Sequence, residues 1–327
     1  MQCTLRLWRD HFSKLLAGDD GANSAIGGSS PIPPIDDNVD IPLPNHDEVR
    51  VAKTRLKNNK ATGADGLPAE LFKAGVEELI RCMHQLLCRI WLEESMSNDW
   101  NLSVLCPVLK KGDPTICVNY RGISLITISH KVLSSVICER LKPYTSTLIG
   151  PYQCGFRPAA FDSPMKERLY ATMSEFGIPA MVIRLCRITL SSIISSVKVG
   201  TNLSEPFNTV RGFRQGDPLS CDLFNFVMKG VLRKAGVHRS GTIFYKSVQL
   251  LAYADDIDII GRSKRDVTAA FSAIEKESAK VGLAVNEGKT KYMLSTSRES
   301  RRLDSHVVAD SYTFEVFKGV HVPWRCH

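Results

Sequence analysis

Two aspartates, Asp255 and Asp256, stand side by side in a short turn between two apolar runs. Residues 247–253 lead into the turn and residues 257–260 lead out of it. Apolar runs on either side of a short polar turn predict a β-hairpin. Two ionised carboxylates repel each other, so the pair predicts a cation site unless the turn is simply solvated. Hard oxygen ligands suit Mg²⁺, and two such ions can clamp the oxygens of a phosphoryl transfer.

The composition indicates a chain with a buried core and a polyanionic partner. The 327 residues are 43% hydrophobic and carry a formal net charge of +8. This length suffices for one multi-lobed domain or two small ones. The surplus of Lys and Arg favours nucleic acid as a partner, although many soluble proteins carry such a charge. No apolar run reaches membrane-spanning length, and no protein partner is predicted.

The cysteines indicate a reducing environment. There are 10 of them, scattered without a C-x-x-C pair, so neither a disulfide framework nor a zinc ribbon is predicted. Cys82, His84 and Cys88 lie close together, but in a helix-patterned apolar stretch, where buried thiols are the commoner explanation. We therefore expect an intracellular location, either nuclear or cytoplasmic.

The beginning of the chain predicts a helix followed by a linker. Residues 1–17 have amphipathic spacing. Residues 18–45 are rich in Gly, Ser, Asp and Pro, which predicts a flexible segment. A second helix is expected from His46.

A longer helix and a strand follow in the predicted order. The buried side of the helix is expected to carry eight apolar residues: Leu71, Val76, Leu79, Ile80, Met83, Leu86, Leu87 and Ile90. Residues 101–108 predict a strand that ends at Pro107. A helix over 129–141 is expected to stop at Pro143, because proline lacks the backbone N–H.

Helices and short strands alternate in the second half. A helix is predicted over 164–176, with Ser163 as its N-cap and Gly177 ending it. The next predicted elements are a helix over 179–190, a strand over 193–199 and a helix over 219–232. Beyond the hairpin, Ser263 and Asp266 are expected to cap a helix that ends at Gly282. A last strand pair is predicted over 283–285 and 292–294.

A series of segments, in one order along the chain, resembles the reverse transcriptase of the non-LTR (LINE-like) retrotransposon family. They are residues 56–66, 109–114, 119–124, 152–157, 212–220, the Tyr253–Asp256 turn, and Asn286 with Lys289. The resemblance implies an α+β fold with the fingers and the split βαββαβ palm of a right-hand polymerase. It implies an RNA-directed DNA polymerase that uses two Mg²⁺ ions, an RNA template, a DNA primer and deoxynucleoside triphosphates.

The resemblance also implies a division of the chain. Residues 1–47 are expected to form the N-terminal helix and the flexible linker. Residues 48–160 correspond to the fingers and 161–295 to the palm. Residues 296–327 correspond to a truncated connection segment, and the helical thumb is expected to be missing, as is a preceding endonuclease domain.

Each motif then has an expected role. The resemblance assigns the metal ions to Asp255 and Asp256, the triphosphate to Arg121, and the leaving pyrophosphate to Lys289. Arg214, Gln215 and Gly216 belong to the loop under the nascent base pair, Phe161 excludes a ribose 2′-OH, and Tyr253 shapes the primer side. Simpler alternatives are a surface arginine for Arg121, an exposed turn lysine for Lys289, and a structural N-cap for Asp217.

One part of the family pattern is absent. The family carries its first catalytic aspartate on a palm strand, within a stretch of the type Phe-Ile-Asp-Phe-x-x-Ala-Phe-Asp-Ser. In this chain residues 155–158 are followed at once by Ala159, Ala160, Phe161 and Asp162. Asp162 lies six residues beyond the lost position, about 20 Å along an extended strand, and is expected to help cap a helix instead.

We therefore expect an internal deletion in the palm, a loss of polymerase activity and a marginally stable fold. Loss of the bridging carboxylate is expected to reduce the rate roughly a thousandfold or more. Two alternatives stay open. The chain could be a non-catalytic remnant that binds nucleic acid, or an incomplete gene model of an active enzyme.

Overall fold

The computed structural model describes residues 2–17, 41–148, 162–237, 248–253, 256–294 and 305–318. These residues form helices and strands in alternation, which confirms the mixed α/β class. The chain divides into two compact units. The first comprises residues 1–230 with 252–256, and the second comprises residues 231–251 with 257–327.

Helices make up most of the first part of the chain. They are α1 (Gln2–Ala17), α2 (His46–Thr54), α3 (Ala69–Ala74), α4 (Glu77–Glu93) and α5 (Ile128–Leu148). The side chain of Asn45 accepts the backbone N–H of Glu48, and Glu48 in turn accepts the N–H of Asn45, so a capping box starts α2. Of the predicted linker, residues 18–40 lie outside the described residues. Its last residues are held in place, since the ring of His84 contacts the Pro44 carbonyl at 2.9 Å.

Two predictions about these helices are wrong. The long helix is broken at Gly75, whose extended backbone separates α3 from α4. Ala69 and Phe72 are buried in α3, whereas three residues expected on the buried side are exposed: Leu71, Val76 and Leu86. Helix α5 also continues through Pro143 to Leu148. Pro143 lies near the end of α5, where the helix is largely exposed, and it leaves only the carbonyl of the half-buried Glu139 without its helical hydrogen bond.

The first unit is built around one sheet. Its strands are β1 (Leu102–Leu109), β2 (Tyr120–Leu125), β3 (Ile193–Val199), β4 (Asn202–Leu203) and β5 (Phe207–Thr209). The order is β2-β1-β3-β4, and β5 also pairs with β3. Strand β1 runs antiparallel to β2 and parallel to β3. It continues past Pro107, which pairs only with Gly122 of β2 because the pairing with β3 ends at Leu105.

Helix α1 covers part of this sheet. Its Phe12 and Leu16 form a buried cluster with Leu105, Val197 and Phe207. The carbonyl of Leu16 also accepts the backbone N–H groups of Val210 and Arg211 at 3.0 Å each. The N-terminal helix is therefore part of the core of the first unit.

Three more helices complete the described part of this region: α6 (Lys166–Glu175), α7 (Ala180–Leu190) and α8 (Pro218–Lys234). The predicted end of α6 is confirmed, since Gly177 has a φ of 72° and follows the last turn. The N-cap prediction is wrong, because Met165 precedes α6 and no side chain caps it. Pro164 is instead held in the preceding segment, where its carbonyl accepts the N–H of Gly212 at 3.0 Å.

The remaining elements begin with the predicted hairpin. Strands β6 (Val248–Tyr253) and β7 (Asp256–Gly261) pair with each other, which confirms it. Ser263 accepts the N–H of Asp266 and so caps α9 (Lys264–Lys280), as predicted. Residues 283–285 are not a strand, so the predicted last pair is wrong. Strand β8 (Lys291–Leu294) pairs in parallel with β10 (Tyr312–Lys318), which pairs antiparallel with β9 (His306–Ala309).

The sheet β8-β10-β9 of the second unit packs its apolar face on α9. The ring of Phe271 meets those of Tyr312 and Phe314 edge to face, with centroids 5.5 and 5.0 Å apart. Taken together, the described strands form three separate sheets. The single split βαββαβ palm sheet therefore stays a prediction. No helix within the described ranges is long and apolar enough to cross a membrane.

Candidate functional site

The segment before α8 forms a tight turn that is fixed to strand β2. The N–H of Asp217 donates to the Arg214 carbonyl at 3.1 Å, and Gly216 has a φ of 121°. A Cβ at Gly216 would lie 2.9 Å from the carbonyl oxygen of Ser124, so a side chain is excluded. The N–H of Ser124 donates to the Gln215 carbonyl at 2.7 Å. These contacts hold the backbone of the turn against β2.

The side chain of Gln215 is bound by the chain itself. Its amide nitrogen donates to both carboxylate oxygens of Asp162, at 2.8 Å each. The other atom of the amide, Oε1, is buried and accepts no hydrogen bond from a described residue. Burial raises the pKa of Asp162 to about 6, although the Gln215 amide and Lys110 both act to lower it. Asp162 thus binds Gln215 and does not cap α6.

Arg214 is an internal arginine. It is 3% exposed, and its guanidinium lies 3.1 Å from the carbonyl oxygen of Trp100 and 3.4 Å from that of Asn101. Burial lowers its pKa to about 10, and the neighbouring Asp217 offsets part of this effect. The guanidinium is therefore still charged at neutral pH, and it fastens the start of the turn to the segment before β1.

A buried histidine that the sequence did not single out completes this cluster. His130 of α5 is fully buried, and its Nε2 lies 3.0 Å from Oδ2 of Asp217 and 3.3 Å from Nη1 of Arg214. Burial lowers the pKa of His130. Burial opposes ionisation of Asp217, but the His130 hydrogen bond and the Arg214 charge outweigh it and lower the pKa of Asp217. The cluster is a neutral imidazole between a carboxylate and a guanidinium.

Asp217 also has the structural role expected of it. Its Oδ1 accepts the N–H of Leu219 at 3.1 Å, so it caps the start of α8 just before Pro218. No sequence signal pointed to its partner His130. The apolar spacing of α5 could have shown that His130 is buried, but not which residue 87 positions away it meets.

A small cavity lies beside Asp162, beneath α1. Phe12, Gly122, Ser124 and Arg214 line it together with Asp162, and its volume is ≈ 20 Å³. This volume accommodates about one water molecule and no larger ligand. The wall is tightly packed, because a Cβ at Gly212 would lie 2.7 Å from the backbone of Asp162.

Other expected site residues do not meet at this cavity. Arg121 alternates with Gly122 along β2, so its side chain starts from the opposite face of the sheet. Its Nε is buried and has no hydrogen-bond partner among the described residues. Lys289 is exposed in the turn after α9, where its backbone N–H donates to Asn286. Arg121 is therefore not among the residues that line the cavity.

The paired aspartates are only partly described. Asp256 is the first residue of β7 and is exposed. Asp255, Phe161 and the side chain of Tyr253 lie outside the described residues. Within the described part of the chain, no three His, Cys, Asp or Glu side chains gather where they could hold a metal ion. An exposed carboxylate suits Mg²⁺, so Asp256 fits as one ligand and the rest of the site stays a prediction.

Comparison with known proteins matches the second half of the chain to a family. Residues 159–314 match the family model of reverse transcriptase, described as RNA-dependent DNA polymerase. The chain is 24% identical, over 77% of its length, to the Transposon TX1 uncharacterized 149 kDa protein of Xenopus laevis. It is 28% identical, over 40% of its length, to the Retrovirus-related Pol polyprotein from type-2 retrotransposable element R2DM of Drosophila melanogaster.

A third relative covers a shorter part of the chain. The Retrovirus-related Pol polyprotein from type-1 retrotransposable element R2 of Nasonia vitripennis is 37% identical over 22% of it. The chain spans 22%, 12% and 7% of the lengths of these three relatives. Residues 159–314, just under half of the chain, are similar to a reverse transcriptase domain. The three relatives are a transposon protein and two Pol polyproteins of retrotransposable elements, so the chain is similar to proteins of such elements.

Proposed function

We propose that the chain binds an RNA template paired with a DNA primer and does not extend the primer. The observation that carries this proposal is the short stretch before Asp162. Only Ala159, Ala160 and Phe161 separate Asp162 from residues 155–158, so the strand that carries the first catalytic aspartate in the family has no counterpart in the sequence. The paired aspartates of the hairpin remain.

Asp162 is the carboxylate nearest in sequence to the lost position, and its contacts argue against a replacement role. Both of its oxygens accept the Gln215 amide, and burial raises its pKa to about 6. A carboxyl that takes up a proton near neutral pH and is held by an amide is a poor ligand for a hard cation. When bound, magnesium supplies charge to stabilise the transferring phosphate, and this chain offers Asp255 and Asp256 for it.

The basic residues beside the tight turn at residues 214–217, the Gln215 turn, support nucleic-acid binding. Lys110 and Lys111 are exposed just beyond the end of β1. Lys110 is close enough to lower the pKa of Asp162, and, after burial, it is the second cause that lowers the pKa of His11. A cation in this position can contact the phosphate backbone of a bound strand. We assign Gln215 and Gly216 to the last base pair, Arg121 and Lys289 to phosphates, and Phe161 and Tyr253 to the sugar side.

The proposed division of the chain follows the family order. Residues 48–160 form the fingers and 161–295 the palm, with a helix and linker before them and a connection segment over 296–327. The described cysteines are all free thiols, which supports a location inside the cell, in the nucleus or cytoplasm.

Binding is tested by fluorescence anisotropy with a labelled RNA template annealed to a DNA primer, over a range of salt concentrations. We expect log Kd to rise linearly with log salt. Lysine and arginine side chains that contact phosphates displace counterions from the nucleic acid, and added salt opposes this release. The double variant Lys110→Gln, Lys111→Gln should lower this slope by about one for each phosphate contact that it removes.

The matched control is the double variant Lys264→Gln, Lys276→Gln, which removes the same charge from the exposed face of α9. It should change the slope less than the first variant does. Absence of binding by the wild type at low salt contradicts the proposed function. An equal effect of the two variants contradicts the assignment of Lys110 and Lys111.

A further inference from the structure

The Gln215 turn is held from a helix that the family motifs do not include. Asp217 is the last residue of the turn, and its carboxylate meets His130 of α5 at 3.0 Å. The carboxylate can only accept a hydrogen bond, so Nε2 of His130 carries the proton. Nδ1 is then an acceptor, and it is buried with no donor among the described residues. His130 can therefore donate one hydrogen bond, and it donates that bond to Asp217 of the turn.

The other contacts that hold the turn use its backbone or the side chains of Arg214 and Gln215. The carbonyl of Arg214 accepts Oγ of Ser220 at 2.8 Å, and the carbonyl of Gln215 accepts the N–H of Ser124 at 2.7 Å. Among the described residues, His130 supplies a side-chain contact to the far end of the turn from outside α8. The bond joins residues 87 positions apart, so it links α5 to the turn before α8.

We propose that His130 is a positioning residue that, through Asp217, sets where the amide of Gln215 lies. When Asp217 is held, Gly216 stays against Ser124 and the Gln215 amide reaches Asp162. When Asp217 is released, the turn can rotate about Gly216 and the amide leaves Asp162. Gln215 then no longer presents one defined edge to the base pair at the primer end, and this last step rests on the proposed function.

The charged groups around His130 point to Asp217 as the acceptor of its Nε2 proton. The charged groups that face it are Asp217, Arg214 and Lys131, and the ring of Trp100 lies edge to face at 6.4 Å. Of these, only the carboxylate of Asp217 can accept the proton of Nε2. Each other charged neighbour is a cation, so protonation of Nδ1 would place a second positive charge beside Arg214.

Three variants at position 130 separate positioning from mere packing. In His130→Gln the amide nitrogen can reach the place of Nε2 and donate to Asp217. In His130→Asn the shorter side chain places its amide near Nδ1, away from Asp217. In His130→Phe the ring is kept and the donor is lost.

The first readout is titration of the Asp162 carboxyl by carbon-13 NMR, assigned with Asp162→Asn. The Gln215 amide lowers the pKa of Asp162, so loss of this contact should raise that pKa above about 6. We expect His130→Phe, His130→Asn and the positive control Gln215→Ala to raise it. His130→Gln should leave it near the wild-type value, which a change in global stability alone would not produce.

The second readout is the preference of the protein for a primer–template with a paired rather than a mismatched 3′ end. We expect His130→Phe to lose this preference, by about threefold, a ratio that corresponds to roughly 0.7 kcal/mol, while its salt slope stays unchanged. If the wild type binds no primer–template, the proposed function fails and the titration still tests His130.

Two outcomes overturn the proposal. One is an Asp162 pKa that is the same in the wild type and in all three variants. The other is an equal shift in His130→Gln and His130→Asn. If His130→Phe does not fold, the comparison between His130→Gln and His130→Asn decides the question.

Discussion

The side-chain nitrogen of Gln215 lies 2.8 Å from each carboxylate oxygen of Asp162. This contact joins the segment before α6 to the turn before α8, across 53 positions of sequence. It directs the Gln215 amide, which we propose lies beneath a base pair, toward an internal carboxylate. The pH dependence of the fold should report on this contact.

Replacement of Asp162 by asparagine should remove a pH-dependent loss of stability. Its pKa is raised from 3.8 to about 6 in the folded chain, so the folded state binds more protons in this range. The contribution of Asp162 to the free energy of unfolding should therefore fall as the pH rises from about 4 to about 6. Asp162→Asn keeps an acceptor for Gln215 and should be more stable than the wild type at pH 7.5, on the order of 2 kcal/mol.

Urea denaturation of both proteins at pH 5 and pH 7.5 checks this prediction. The exposed Asp99→Asn serves as a control, and it should leave the pH dependence as it is. An Asp162→Asn variant that follows the wild-type curve at both pH values would show that this carboxyl is not buried.

His130 should give the opposite dependence of the free energy of unfolding on pH. Burial holds its pKa below the ordinary 6.5, so the unfolded state binds the proton more readily. The contribution of His130 to the free energy of unfolding should therefore decrease as the pH falls below about 6.5. His130→Gln cannot take up this proton, so its stability relative to the wild type should improve between pH 7.5 and pH 5. Because Asp162 is present in both proteins, the difference between the two unfolding curves isolates His130.

Phe12 and Gly122 should be energetically coupled. A Cβ at Gly122 would lie 2.8 Å from the Phe12 ring, so Gly122→Ala should cost about 1–3 kcal/mol by overpacking. In a Phe12→Leu background the cost should be smaller, with a coupling energy on the order of 1 kcal/mol. A double-mutant cycle from denaturant unfolding measures it. Leu7→Ala, on the exposed side of α1, should change stability by no more than about 0.5 kcal/mol.

Two serines offer a matched test of helix capping. Ser263 accepts the N–H of Asp266 at the start of α9, so Ser263→Ala should destabilise α9 and its sheet by about 1 kcal/mol. Ser163 lies before α6 but gives it no cap, so Ser163→Ala should have little effect. Hydrogen exchange in α9 and α6 distinguishes the two variants. Equal loss of protection in both helices would contradict the capping assignments.

Local patterns predicted the elements whose signals lie within the element itself. Strand β3 and helices α7 and α8 match their apolar spacing closely, and the polar turn between two apolar runs correctly predicted the hairpin. The cap at Ser263 was predicted for the same reason, because its partner Asp266 is only three positions away.

Tertiary contacts decided the rest. A single glycine, Gly75, broke a helix whose apolar spacing continued on both sides. The sequence pattern does not predict strand β2, because Gly122 interrupts its alternation. The strand is held by its pairing with β1. Ser163 had the right sequence for a cap, but the contact of Pro164 with Gly212 holds that segment away from the helix.

The features of the candidate site also divide into those that local patterns predict and those that depend on distant residues. The motif around Gln215 predicts only a loop before a helix, and the structure has a tight turn there in which Gly216 has a φ of 121°. The burial of Arg214 and its contact with His130 depend on residues far away in sequence, so no local pattern could predict them. Asp255 and Phe161 lie outside the described residues, and their roles stay predictions.

Primer extension on an RNA template tests the central claim most directly. The wild type, Asp255→Ala and Asp256→Ala are compared with Mg²⁺ or Mn²⁺ and the four deoxynucleoside triphosphates, at a protein concentration that saturates primer–template binding. We predict no template-directed extension by the wild type beyond that of either variant. Extension by the wild type that Asp255→Ala abolishes would show a working polymerase and contradict the account.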